Sequence, residues 1–118
     1  MKFLWNGEAS GSRTLFKNAN GGLHHFRFIN DAGTAVVNTT SSTMTLELYA
    51  DVKRSAAAVA SLSLNDTAVA NELTSGYQKE ELLQAVMNFG PGTYFAFAKY
   101  VNGSVTDIST NYFTVVIR

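Results

Sequence analysis

Strict alternation of apolar and polar side chains over residues 43–49 is the feature that most constrains how this chain folds. In the segment TMTLELY, Met44, Leu46 and Leu48 occupy every second position, with a threonine or a glutamate between them. Successive side chains of a β-strand point to opposite faces of a sheet, so this spacing buries one face and leaves the other to solvent. We therefore predict a half-buried strand of an antiparallel sheet.

Further segments suggest strands of the same kind, and turn residues separate them. These segments are 23–29, 56–64, 93–101 and 112–117. The Asn102-Gly103 pair that follows one of them is a strong signal for a tight hairpin. About seven short strands with frequent turns predict an all-β fold, an immunoglobulin-like β-sandwich.

Two segments depart from this rhythm. Residues 77–88 carry apolar side chains at helical spacing with acidic residues first, which predicts one short helix before the penultimate hairpin. The sequence Phe-Gly-Pro-Gly at 89–92 ends that helix. Residues 1–22 are rich in glycine and asparagine, and we predict an extended N-terminal arm there, in front of a sandwich domain spanning 23–118.

The arm is the predicted partner-binding segment. It contains Trp5, the only tryptophan of the chain, and the apolar pair Leu15-Phe16. Tyr49 points outward from the strand at 43–49, and one face of residues 94–100 is aromatic as well. Exposed aromatic and large apolar side chains are typical of protein contacts. The predicted partner-binding residues are therefore Trp5, Leu15, Phe16 and Tyr49.

The charge balance argues against two classes of partner. Nine basic and nine acidic residues give a formal net charge of zero, so no long-range field draws the chain to nucleic acid or to an anionic membrane. Charged residues make up only 15% of the chain, below the roughly 25% that is usual in soluble domains. A surface this poor in charge is typical of an assembled subunit, and a homo-oligomer is one such assembly.

No arrangement of residues points to catalysis, a cofactor or a metal. His24 and His25 are the only histidines and, as neighbours on a strand, they point to opposite faces and cannot bind one ion together. The sequence contains neither a Gly-x-Ser-x-Gly elbow nor a phosphate-binding loop, and it has no cysteine. We expect a protein that is not an enzyme and that uses no cofactor.

The order of these segments resembles the immunoglobulin-like domains of tailed-phage virion proteins, and most of all the N-terminal domain of phage upper baseplate proteins. The resemblance covers residues 23–118 and is carried by four segments: 31–37 (DAGTAVV), 43–48 (TMTLEL), 82–96, which contains FGPGTYFA, and 113–117 (FTVVI). It implies that Tyr94 is the tyrosine of a tyrosine corner at the start of a late strand. Two departures are the segment in front of the domain and the lack of a further domain behind it.

These observations favour a structural role in a virus particle. The leading hypothesis is a capsid decoration protein that binds major capsid subunits and is located in the virion after synthesis in the host cytoplasm. One alternative is a baseplate, neck or fibre-anchoring subunit of a phage tail. The other is a carbohydrate-binding or adhesion module, which the aromatic residues at 94–113 leave open.

Overall fold

The computed structural model describes residues 1–16, 23–34, 42–63, 77–81 and 90–118. Within these ranges the chain is all-β, and the prediction of that fold class is confirmed. The nine strands of the described residues are β1 (Lys2–Trp5), β2 (Ser12–Leu15), β3 (Leu23–Ile29), β4 (Ser42–Tyr49), β5 (Ala60–Ser63), β6 (Tyr77–Glu81), β7 (Gly92–Asn102), β8 (Val105–Ile108) and β9 (Phe113–Ile117).

The strands form two sheets that share one hydrophobic core. The smaller sheet has the order β1-β3-β6, and both of its pairs are antiparallel. The larger sheet has the order β2-β9-β7-β4-β5, and β8 pairs with the last residues of β7. In the larger sheet β2 runs parallel to β9, whereas the other pairs are antiparallel.

Alternate side chains from both sheets fill the core. On β4 the predicted alternation is confirmed, because Met44, Leu46 and Leu48 are buried while their neighbours Thr43, Thr45, Glu47 and Tyr49 are not. On β7 the buried inward residues are small (Ala96 and Ala98), which leaves room for large rings from the facing sheet. The largest fully buried side chains are Trp5, Phe3, Phe26, Phe28, Phe113, Met44, Ile117 and Val115.

The start of the chain is built into the sandwich, in contrast to the predicted arm. β1 pairs with β3 in the smaller sheet, and β2 pairs with β9 in the larger one. Gly7 and Gly11 have φ angles of 83° and 132°, and they lie where the chain passes from one sheet to the other. Residues 1–16 therefore belong to the same unit as the later strands, because the apolar side chains of β1 and β2 complete its core. Residues 17–22 of the predicted arm lie outside the described residues.

The predicted helix is absent from the part of it that the structure describes. Tyr77–Glu81 forms β6, which pairs with β3 from Arg27 to Leu23. The helical spacing of residues 77–88 was misleading here, because pairing with a neighbouring strand outweighs the weak intrinsic helix propensity of a short polar segment. Residues 82–89 lie outside the described residues.

The hairpin predicted at Asn102-Gly103 is confirmed. Asn102 at the end of β7 pairs with Val105 at the start of β8, and Gly103 between them has a φ of 61°. At the other end of β7, the Tyr94 hydroxyl donates a hydrogen bond to the Gly90 carbonyl at 3.1 Å. The two contacts fix both ends of the longest described strand.

One amide side chain connects the first strand to the segment between β8 and β9. The Asn111 Oδ1 accepts a hydrogen bond from the Phe3 amide at 3.0 Å, and its Nδ2 donates to the Phe3 carbonyl at 2.7 Å. The same Nδ2 donates to the Ala9 carbonyl at 2.8 Å. The Asn111 side chain thus pairs with three backbone groups, two of Phe3 in β1 and one of Ala9 after β1. The two groups of Phe3 lie on the edge of β1 that faces away from β3.

Candidate interaction surface

Four aromatic side chains gather on the outer face of the larger sheet. β7 is apolar on both faces, so that Ala96 and Ala98 point into the core while Phe95 and Phe97 point outward. Tyr49 is the register partner of Phe95 on the adjacent β4, and Tyr112 immediately precedes β9 on the other side. We call Tyr49, Phe95, Phe97 and Tyr112 the outer aromatic cluster.

The rings of the outer aromatic cluster contact each other in a continuous series. Tyr49 meets Phe97 edge to face with ring centroids 5.7 Å apart, and Phe97 meets Tyr112 at 5.6 Å. Tyr112 also contacts Phe95 edge to face at 5.9 Å. Such pairs add about 0.5–1.5 kcal/mol each beyond the area that they bury. The cluster is therefore an ordered platform, with Phe97 only 6% exposed at its centre and Tyr112 41% exposed at its margin.

A guanidinium group covers the centre of this platform. The Arg54 Cζ lies 5.0 Å from the ring centroid of Phe97 and 5.9 Å from that of Tyr49, which is cation–π geometry. Arg54 has a φ of 53°, a left-handed conformation that disfavours a long side chain. The turn that holds it is fixed by Asp51, whose carboxylate accepts hydrogen bonds from the backbone amide and the hydroxyl of Ser55. Local hydrogen bonds thus hold the turn that places Arg54 over the rings.

Two groups in this region have shifted pKa values. Burial against the neighbouring rings raises the pKa of the Tyr49 phenol above 10.0; the Glu47 carboxylate acts in the same direction and Arg54 in the opposite one. The Tyr49 side chain is therefore neutral at physiological pH. The hydrogen bond from the Ser55 hydroxyl, followed by that from the Ser55 amide, lowers the pKa of Asp51 below 3.8.

The residues around the cluster are small, polar and sparsely charged. One cross-strand row of the outer face runs Ser12, Thr114, Phe95, Tyr49 over four neighbouring strands. The adjacent row places Phe97 beside Glu47 and then Ser61. The next outward residue of β7 is Lys99, beside Thr45. With the Glu47 carboxylate, Lys99 and the Arg54 guanidinium, the outer face is close to neutral and suits contact with a protein surface better than binding of a polyanion.

The structure separates the four predicted partner-binding residues into two groups. Trp5 is 0% exposed and Leu15 is 7% exposed, so both lie in the core and offer almost no surface to a partner. The Trp5 Nε1 donates to His24 Nδ1 at 2.9 Å, and Arg13 stacks on the Trp5 ring at 5.5 Å, which gives this tryptophan a structural role. Phe16 is 59% exposed at the end of β2, and Tyr49 belongs to the outer aromatic cluster.

Four members of the surface were not among the predicted partner-binding residues: Phe95, Phe97, Tyr112 and Arg54. The pattern of residues 94–100 indicated a strand apolar on both faces, and that signal pointed to Phe95 and Phe97. Tyr112 was noted only as one of the aromatic residues at 94–113, and nothing in the sequence signalled Arg54. The places of both beside the rings depend on a turn and on strand pairing between distant segments.

A metal site and a membrane-spanning helix are two further features that are not found among the described residues. There, no group of three or more histidine, aspartate and glutamate side chains is placed to hold a metal ion. None of the described residues belongs to a helix that could cross a membrane. Comparison of the chain with protein-family models, with curated protein sequences and with solved structures finds no match.

Proposed function

We propose that this chain is a non-enzymatic structural protein of a tailed-phage virion, a capsid decoration protein with an immunoglobulin-like sandwich fold. In this proposal it binds major capsid subunits through the outer face of the larger sheet. The observation that carries the proposal is the outer aromatic cluster, an ordered group of four rings under Arg54 on a nearly neutral face. The proposal moves the predicted contact from the N-terminal segment to this face.

The strand order supports the immunoglobulin-like assignment. In immunoglobulin domains one sheet contains strands A, B and E, and the other contains G, F, C and, in variable-type domains, C′. The orders β1-β3-β6 and β9-β7-β4-β5 correspond to these two sets, with β2 added beside the last strand. The hydrogen bond from Tyr94 to Gly90 lies where a tyrosine corner occurs, at the start of strand F.

The composition of the outer face supports a protein partner. Tyrosine, phenylalanine and arginine are enriched at the centres of protein interfaces, where a few such residues supply most of the binding free energy. Tyr49 and Arg54 combine these residue types within 5.9 Å of each other. The rings are already ordered by their mutual contacts, so a partner pays little conformational entropy for fixing them.

Binding to particles that lack the protein tests this proposal. The variants are Tyr49→Ala, which removes one ring, and Arg54→Asn, which removes the cation and keeps a residue type that tolerates a positive φ. The matched control is Val105→Ser, since Val105 is apolar and 58% exposed on the distant β7–β8 hairpin. We expect each cluster variant to weaken binding to capsids by about tenfold or more, as for interface hot spots, and the control to bind normally.

The outcome that contradicts the proposal is equally specific. Unchanged binding of both cluster variants would exclude the outer face as the contact. Equal weakening by Val105→Ser would show that the loss is not specific to the outer aromatic cluster.

The number of copies per purified particle, measured by gel densitometry, distinguishes a location on the capsid from one in the tail. A copy number comparable with that of the major capsid protein supports decoration, whereas a small ring-like number supports a baseplate, neck or fibre-anchoring subunit.

A further inference from the structure

An open depression of about 470 Å³ lies beside the outer aromatic cluster, where the segment between β1 and β2 meets the segment between β8 and β9. This volume falls within the roughly 300–1,000 Å³ of small-molecule sites. The residues that line it are Ala9, Ser10, Gly11, Ser12, Thr110, Asn111, Tyr112 and Thr114.

The walls of the depression are held together before any ligand arrives. Asn111 donates to the Ala9 carbonyl at 2.8 Å, and the Thr114 amide donates to the Gly11 carbonyl at 3.1 Å. Each of these bonds joins the early segment to the late one across the depression. A preformed concavity avoids the entropic cost of ordering loops on binding.

The lining is neutral and presents unused hydroxyl groups. None of its eight residues is charged. The amide of Asn111 is committed to backbone partners, but the hydroxyls of Ser10, Ser12, Tyr112 and Thr114 have no hydrogen-bond partner among the described residues. A hydroxyl both donates and accepts, so this set matches a ligand that itself carries several neutral hydroxyl groups.

Tyr112 supplies an apolar surface at the edge of the same depression. Its ring contacts Phe95 and Phe97 in the outer aromatic cluster, and yet 41% of the residue is exposed. The ring is thus held in place while it lines the depression. An aromatic side chain with an apolar body and a polar tip suits a ligand that has both apolar and hydroxyl-bearing faces.

We propose that this depression binds a neutral sugar. The apolar face of the sugar ring packs on Tyr112, and its hydroxyl groups exchange hydrogen bonds with Ser10, Ser12 and Thr114. A phosphate or carboxylate ligand would find no cation in the lining, since the adjacent Arg13 guanidinium is committed to the Ser12 carbonyl and the Glu8 carboxylate. An apolar ligand would leave the four hydroxyls unpaired. This inference goes beyond the proposed function; Ser12, Tyr112 and Thr114 lie on the face assigned to capsid binding, whereas Tyr49 and Arg54 lie outside the lining and test capsid binding separately.

Titration of the ¹⁵N-labelled protein tests the proposal. The probes are glucose, galactose, mannose, N-acetylglucosamine and the disaccharides maltose, lactose and chitobiose, each added up to tens of millimolar. We expect at least one of them to shift amide resonances of residues 9–14 and 110–114 in a saturable manner. If none of the probes shifts these resonances, the proposal is overturned.

Variants connect such shifts to the named side chains. Tyr112→Ala is expected to weaken the apparent affinity by about tenfold, and Thr114→Val, which keeps the side-chain volume, by about threefold. Val105→Ser changes an exposed side chain of the β7–β8 hairpin that does not line the depression, and it should leave sugar binding unchanged. Because Thr114→Val replaces only a hydroxyl by a methyl group, it tests the site even if Tyr112→Ala does not fold. If the Tyr112→Ala and Thr114→Val proteins show shifts of the same size and affinity as the unmodified protein, the assignment is overturned. Capsid binding by Arg54→Asn, which leaves the lining of the depression intact, reports on the proposed function separately.

Discussion

Replacement of Asn111 by alanine gives the most direct test of how the first strand is attached to the sandwich. In the native protein the side chain makes three hydrogen bonds, two to the backbone of Phe3 and one to the Ala9 carbonyl. Asn111→Ala removes all three bonds without removing any core side chain. The amide and carbonyl of Phe3 are part-buried, so they lose partners that water replaces only in part.

The expected magnitude follows from these bonds. A typical intramolecular hydrogen bond contributes about 0.5–1.5 kcal/mol net, and a buried group left without a partner costs about 1–3 kcal/mol. The Ala9 bond is exposed and therefore contributes little. We expect Asn111→Ala to lower the free energy of unfolding by about 2–4 kcal/mol, most of it from the two groups of Phe3.

Urea unfolding followed by the fluorescence of Trp5 measures this change, because Trp5 is the only tryptophan and lies on the strand that Asn111 holds. Hydrogen exchange of the Phe3 amide should accelerate more than exchange at β4. The control is Asn102→Ala, which removes a single side-chain bond to the Tyr100 hydroxyl at 3.2 Å. If Asn111→Ala lowers the free energy of unfolding by less than about 0.5 kcal/mol, or by no more than the control does, the reasoning fails.

Three further predictions concern stability and ionisation. Trp5→Ala should cost about 3–5 kcal/mol by opening a cavity in the core, and it also removes the hydrogen bond from the indole to His24 Nδ1. A thermal melt followed by circular dichroism measures the loss. The raised pKa of Tyr49 means that its contribution to stability is complete below the ordinary value of about 10 and is lost as the pH rises through the folded-state value. Phenolate absorbance should therefore show a late-titrating group that Tyr49→Phe removes, and a titration unchanged by that variant would contradict the shift. The lowered pKa of Asp51 has the opposite sign, so that its contribution to stability is present above the ordinary value and is lost as the pH falls through the folded-state value. In Ser55→Ala, which removes the hydroxyl and keeps the amide, an NMR titration should show the Asp51 pKa shifted upward toward the ordinary value.

The sequence predicted the parts of the fold that depend on local pattern. The alternation on β4 and the Asn-Gly hairpin after β7 are present as expected, since each is encoded within a few residues. β6 was not predicted, because Tyr77–Glu81 is too short and polar to show a two-residue rhythm, and its strand conformation comes from pairing with β3. The glycines at 7 and 11 suggested a loose segment, whereas in the structure they lie between β1 and β2, two strands that each contribute buried side chains to the core.

The residues of the candidate surface divide in the same way: some are identified by a pattern within one strand, and others depend on the pairing of distant strands. Tyr49 was predicted because outward alternation along one strand identifies it. Tyr112 and Arg54 were not predicted, because only the pairing of β7 with β4 and β9 brings them to the same rings. Trp5 was assigned to a partner contact because a lone tryptophan near glycines resembles an anchor, but its neighbours in space are core rings.

The parallel pairing of β2 with β9 has a consequence for how the chain reaches its native state during synthesis. Ser12 pairs with Thr114 and Leu15 with Ile117, so β2 leaves the ribosome well before the strand with which it pairs. Contacts between residues so far apart in the chain close slowly, since the entropy of a long loop is lost before the contact forms. The larger sheet is therefore completed only after β9 is released, and until then the side chains of β1 and β2 that pack against Phe113 and Ile117 remain exposed, as in a folding intermediate.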